Sequence, residues 1–206
     1  MTQNSRPSVL NVGGNDRIIA LPSIYDGWRQ VWLDIDPDVE PDILCDAREL
    51  AGQEAQVFDA VYCSHNLEHY YRHDVPKVLA GFRHVLKPDG FAHIRVPDLA
   101  SVMRATLDRE LDLEDELYRS AVGPITVLDV IYGYGKEIES SGNDFFAHKT
   151  GFTPRSLHQV LQKAEFEHIY CTLGHYEINA VAFMTKPNER QCADFGIKRN
   201  DSTERH

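Results

Sequence analysis

No apolar run in this sequence approaches the roughly 20 residues of a membrane-spanning helix. The polar start Met1-Thr2-Gln3-Asn4-Ser5-Arg6-Pro7 also lacks the apolar stretch of a signal peptide. A membrane partner is therefore not expected, and the expected compartment is the cytoplasm. Basic side chains are outnumbered, 21 Lys and Arg against 32 Asp and Glu, for a net charge of -11. Such a balance repels a phosphate backbone, so nucleic acid is not an expected partner either. Cysteine is sparse: Cys45, Cys63, Cys171 and Cys192 stand far apart, with no spacing that suggests a disulfide frame or a zinc knuckle. Internal repeats are missing. What is present is 206 residues at 42% hydrophobic, enough for one good-sized core. One domain is expected over residues 1–186, followed by a polar tail over 187–206.

Apolar patterning then places the elements. Ser8 to Val12 reads as a buried strand ended by Gly13 and Gly14, Gln30 to Asp34 as a second, Asp42 to Cys45 as a short third and Phe58 to Cys63 as a fourth. Val75, Val78, Leu79, Phe82, Val85 and Leu86 share one helical face, and Lys87-Pro88-Asp89-Gly90 reads as the turn before a fifth strand, Phe91 to Val96. An acidic amphipathic helix is expected from Leu99 to Ser120, then an irregular segment over 121–152. Thr153-Pro154 opens another helix through Lys163. Phe166 to Leu173 and Tyr176 to Thr185 make a closing hairpin. Strands alternating with helices argue for an α/β fold, doubly wound on a mostly parallel seven-stranded sheet that ends in an antiparallel hairpin.

Ligands of such sheets sit beyond the carboxyl ends of the strands at the topological switch point. Leu10-Asn11-Val12-Gly13-Gly14-Asn15 followed by Val31-Trp32-Leu33-Asp34 gives a strand, a glycine turn and a second strand ending in a carboxylate. The separation is close to the roughly 20 residues between a nucleoside-binding turn and the acid that grips ribose. With Phe58-Asp59-Ala60-Val61-Tyr62-Cys63-Ser64-His65-Asn66-Leu67-Glu68-His69 and Val85-Leu86-Lys87-Pro88-Asp89-Gly90 through Asp98, the chain resembles class I S-adenosylmethionine (SAM) dependent methyltransferases. The resemblance covers residues 8 to 100, and more loosely 144 to 184.

That resemblance implies SAM as cofactor and a Rossmann-like methyltransferase fold. It implies that Gly13, Gly14 and Asn15 face the methionine end of SAM, and that Asp34 and the neighbouring Ile35 hold the ribose, with Asp36 in reserve. Asp46 and Ala47 would meet the adenine, and Ser64 and His65 the methionine portion. Asn11, Asn15 and Arg17 depart from the family's turn, which keeps a non-catalytic SAM-fold interaction protein in view. A nicotinamide oxidoreductase is disfavoured because the third glycine of G-x-G-x-x-G is missing. Asp46 as a plain helix cap is weighed equally with its adenine role.

The acceptor side is read from the irregular segment. Asn143 to Phe152 combines aromatic walls, a glycine hinge and His148 next to Lys149, and His148 is the expected general base or acceptor-orienting group. Arg95, Asp98, Tyr132 and Tyr134 are the expected acceptor walls. His65, His69 and His73 recur at helical spacing, but a metal site needs a third non-local ligand and a supporting carboxylate. No metal is expected. The chain begins almost at its first strand, so a roof must come from residues 121–152 or from the second subunit of a homodimer. An open site suits a bulky, glycan-like acceptor methylated at oxygen.

Overall fold

A computed structural model describes residues 6–14, 19–121 and 123–198. Asn15 and Arg17 lie outside the described residues. The first strand, β1 (Ser8–Val12), is buried throughout and pairs in parallel with β2 (Arg29–Asp34) on one side and β4 (Phe58–Ser64) on the other. β3 (Ile43–Leu44) extends the sheet beyond β2, and β5 (Leu86–Pro97) extends it beyond β4. β8 (His168–Leu173) and β9 (Glu177–Phe183) close the other edge, giving the order β3-β2-β1-β4-β5-β9-β8. β9 runs antiparallel to both neighbours, so it alone opposes the sheet direction. The expected mostly parallel seven-stranded sheet is what the chain forms.

One face of the sheet is covered by α1 (Val75–Val85) and α5 (Pro154–Lys163), whose Val78, Leu79, Phe82, Leu157 and Leu161 are fully buried against Leu10, Val61 and Ile94. At ~25 cal/mol per Å² of apolar surface, each side chain of this kind contributes about 1.5–3 kcal/mol. The opposite face is covered mainly by irregular chain, Tyr25 and Trp28 with Phe195 after α6 (Glu189–Asp194), packed on Phe91 and Phe183. Part of the stretch expected as a polar tail thus folds into a helix. An Asn188–Gln191 capping box starts it and Cys192 is buried.

Two element boundaries differ from expectation. Residues 87–90 belong to β5 across a register shift, because Lys87 reaches back to the Asp59 carboxylate at 2.8 Å and holds this stretch along β4. The helix expected through Ser120 stops early, as α2 (Leu99–Asp108). Beyond it Asp112 and Asp115 accept backbone N–H bonds from Leu113 and Asp112, which competes with helix. The chain then forms a hairpin of β6 (Glu116–Ser120) and β7 (Gly123–Thr126), with Leu117 and Ile125 buried against Val102. The segment expected to be irregular carries two short helices, α3 (Val127–Tyr132) and α4 (Gly135–Ser141). Among the described residues no helix is long and apolar enough to cross a membrane.

Candidate active site

The strand order reverses between β1 and β4, and the loops leaving those two strands meet there. Gly13 turns the chain at φ +68° while its N–H stays on the Leu33 carbonyl at 2.9 Å. Only glycine fits: a β-carbon would lie 2.1 Å from Asn66 Nδ2. A β-carbon on Gly14 would meet the buried Asn11 side chain at 2.3 Å, so Gly14 packs inward on the strand rather than into the cleft.

Asp34 ends β2, its Oδ1 accepting the Asp36 N–H at 3.0 Å, and burial raises its carboxyl above the ordinary value against the pull of those backbone donors. Asp46 is differently placed. Burial would raise it too, but Arg48 donates through Nε and Nη2, the latter at 2.6 Å, and the Arg48 backbone N–H adds a capping bond at 2.9 Å. The net effect lowers the Asp46 carboxyl and commits both its oxygens to Arg48.

After β4 the backbone enters the left-handed region at His65, φ +48°, and makes a single 3-10 turn over Leu67–His69. His65 Nε2 lies 2.9 Å from Glu177 Oε2 and its Nδ1 lies 3.5 Å from Glu68 Oε1. Burial would lower this imidazole, yet the two carboxylates outweigh it and raise the group to about 9. Glu68 is 1% exposed, and neither of its oxygens accepts a hydrogen bond. Its backbone carbonyl accepts the N–H groups of Lys149 (2.8 Å) and Thr150 (3.1 Å), which pins the segment before α5 against the end of β4. Gly133, at φ +101°, lets that segment pass, since a β-carbon there would sit 2.1 Å from the Phe146 carbonyl oxygen. His148 is thereby carried in: its Nδ1–H donates to the Val130 carbonyl at 2.9 Å, and its Nε2 faces Glu68 Oε1 at 3.9 Å. Burial is the main reason its imidazole is lowered, so it is neutral near pH 7.

Between these loops lies a cleft of about 340 Å³ lined by Gly13, Asp34, Ile35, Asp36, Asp46, Arg48, His65, Asn66, His69, Tyr70 and Tyr71, with Phe145, Phe146 and Lys149 across from them. Lys149 bridges the rim, 3.3 Å from Asp144 and 5.7 Å from the Tyr71 ring centre. Of the expected cofactor residues, Gly13, Asp34, Ile35, Asp46 and His65 are brought together here, whereas Gly14, Ala47 and Ser64 do not line the cleft. The expected acceptor walls lie elsewhere. Arg95 is held by Glu177 at 2.9 Å and Tyr62, Asp98 caps α2, Tyr134 caps α4 and Tyr132 is 62% exposed. Tyr70 and Tyr71 were not singled out from sequence; their only signal is an aromatic pair directly after the His65–His69 stretch.

The family described as "Methyltransferase domain" matches residues 1–170. No curated protein matches the chain. Among solved structures, a SAM-dependent methyltransferase from Archaeoglobus fulgidus is similar at 14% identity over 86% of each chain, with a TM-score of 0.53. A protein from Pyrococcus horikoshii OT3 is similar at 20% identity over 88% of this chain and 84% of its own, TM-score 0.56. A SAM-dependent methyltransferase from Methanosarcina mazei is similar at 13% identity over 89% and 95%, TM-score 0.53. These likenesses concern the fold.

Proposed function

Because the chain belongs to the methyltransferase-domain family, that of the class I SAM-dependent methyltransferases, we propose that the cleft beside Gly13 and Asp34 seats SAM. We further propose that the methyl group goes to an oxygen of a small-molecule, glycan-like acceptor. The protein is an enzyme of methyl transfer with SAM as its cofactor. The observation that carries the seating is the Gly13 turn: packed on Asn66 with no room for a β-carbon, its backbone lines a cleft that also holds a carboxylate, Asp34, on the adjoining strand end. The residues fit the group. Gly13 presents backbone to the cleft, Asp34 can accept from both ribose hydroxyls, and Arg48 and Tyr70 flank the neighbouring end.

Bound SAM supplies a sulfonium methyl already activated for in-line displacement, so the protein's task is orientation and exclusion of water. Phe145 and Phe146, with Tyr71, give the cleft an aromatic lining that sheds water from it. His148, behind that wall, orients the acceptor. The thiols of Cys45, Cys63, Cys171 and Cys192 are not in disulfides, and we place the reaction in the cytoplasm. Asp144, Phe145, Phe146 and Lys149 contribute one part of the rim, and a bulky acceptor or a second subunit as roof would complete it.

Calorimetry with SAM and its demethylated product tests the seating, with micromolar or tighter binding of both expected; absence of binding overturns it. Transfer of labelled methyl from SAM to a panel of sugars, phenols, amines and thiols tests the oxygen acceptor. Products methylated only at nitrogen or sulfur overturn that part.

A further inference from the structure

Glu68 is buried to 1% exposure with neither carboxylate oxygen hydrogen-bonded, its Oε1 facing the His65 ring at 3.5 Å and its other oxygen without a partner atom in hydrogen-bond range. Around it the ligating atoms of Glu68, His69 and His148 lie within 4.8 Å of one another. We infer that these three residues bind one divalent transition ion of the Zn2+, Mn2+ or Fe2+ class at the floor of the cleft.

The hydrogen bonds on the ring nitrogens argue for a cation. His148 donates Nδ1–H to the Val130 carbonyl, which fixes the neutral tautomer and leaves a lone pair on Nε2. That lone pair faces Glu68 Oε1 at 3.9 Å, two electron-rich groups directed at each other. The gap spans two bonds of about 2.0–2.2 Å meeting at one ion. The Val130 carbonyl then plays the part that backbone carbonyls play behind metal-bound imidazoles. His69 stands beside them, its Nδ1 3.2 Å from the Ala147 carbonyl and its Nε2 2.9 Å from the His65 carbonyl. A turn of the ring would release one of these nitrogens to the ion. His65 completes the surroundings by bridging Glu68 and Glu177.

Two histidines and one carboxylate leave coordination positions open. His69 lines the cleft, so the open positions give onto it, beside the proposed SAM seat. Resting on the methyl-transfer reading above, the ion would take an acceptor with two adjacent oxygens, a diol or a hydroxy-carbonyl. The ion would make the bound hydroxyl a stronger acid, its proton passing to solvent, and that oxygen would bond to the methyl carbon as the sulfur–methyl bond breaks and the demethylated cofactor leaves. His148 would orient the acceptor by holding the ion.

The test uses the full untagged chain, stripped with a chelator and titrated with Zn2+ and with Co2+, alongside calorimetry with SAM. One ion per chain is expected, with a visible Co2+ absorption band of a nitrogen and oxygen site. His148→Ala and Glu68→Gln should each weaken the ion by at least about 10-fold, while His73→Ala, at an exposed ring 3.7 Å from Asp74, leaves it unchanged. Thermal melting of each variant identifies any that fails to fold, and His148→Ala, which leaves the buried carboxylate in place, then decides the question. No stoichiometric ion, or an ion retained in His148→Ala, overturns the site. An ion bound without SAM affinity overturns the cofactor reading alone, and SAM affinity without an ion overturns this inference alone.

Discussion

Gly13 and Asn66 meet with room for a hydrogen and nothing larger, since a β-carbon on Gly13 would lie 2.1 Å from Asn66 Nδ2. Gly13→Ala therefore combines a left-handed backbone at φ +68° with displacement of Asn66 toward the cleft. A loss of about 1–3 kcal/mol in stability is expected from chemical denaturation, with SAM affinity down by at least about 10-fold. Adding Asn66→Ala returns the room, so the double variant should regain part of the SAM affinity. Equal affinities for single variant and double variant would remove the steric account.

Asp34 and Asp46 both line the cleft, but only Asp46 has its oxygens taken up by Arg48. Asp34→Ala should weaken SAM by roughly 10- to 100-fold, the worth of charged hydrogen bonds to the ribose. Asp46→Asn should change SAM affinity by less than about 5-fold and lower stability by about 1 kcal/mol through the lost cap. Calorimetry and melting of the two variants read both effects, and a larger affinity loss in Asp46→Asn would restore its expected adenine role.

The aromatic wall separates residues that line the cleft from those that sequence spacing alone suggests. Phe146→Ala removes a cleft wall and should cost about 1–2 kcal/mol of ligand binding, 5- to 30-fold in affinity. Tyr132, 62% exposed, should tolerate alanine with affinity unchanged. A matched titration series in which Tyr132→Ala is the weaker binder would contradict this assignment of the wall.

His93 provides a pH signature away from the cleft. It is 3% exposed, with Nδ1 3.1 Å from Tyr25 Oη, whose O–H donates to it, and Nε2–H donating to Asn179 Oδ1 at 2.9 Å. Burial is the main cause that lowers this imidazole from 6.5 to about 4. Below pH 6.5 the unfolded chain takes up a proton that the folded one refuses, so stability is full above 6.5 and falls as pH drops toward 4. The loss attributable to this residue is about 3 kcal/mol. Urea unfolding from pH 7.5 to 4 should show wild type losing that much more than His93→Gln; parallel pH curves would refute it.

The strands β1 and β4 and the helix α5 were legible because each is coded locally: a short, largely apolar run ended by Gly13 and Gly14, a run rich in β-branched and aromatic residues, a Thr153–Ser156 capping box with Pro154 beside it. The acidic stretch after Leu99 was not, because a helix face and a turn with side-chain caps share one composition, and Leu117 and Ile125 chose the hairpin by burying themselves against Val102. At the site, Gly13, Asp34, Asp46 and His65 could be named in advance because strand ends in a parallel sheet share one rim.

From its order of residues alone this chain determined a parallel sheet, a glycine turn and a row of polar strand ends, since those depend on periodicity and backbone freedom over a few neighbours. Tertiary structure alone decided which acids stay available and which groups converge. Arg48 closes on Asp46, and the Lys149 and Thr150 N–H groups dock on the Glu68 carbonyl, bringing His148 to a buried carboxylate far away in the chain. Such pairings are set by burial and by hydrogen bonds that exist only once the sheet has closed, so no local pattern encodes them.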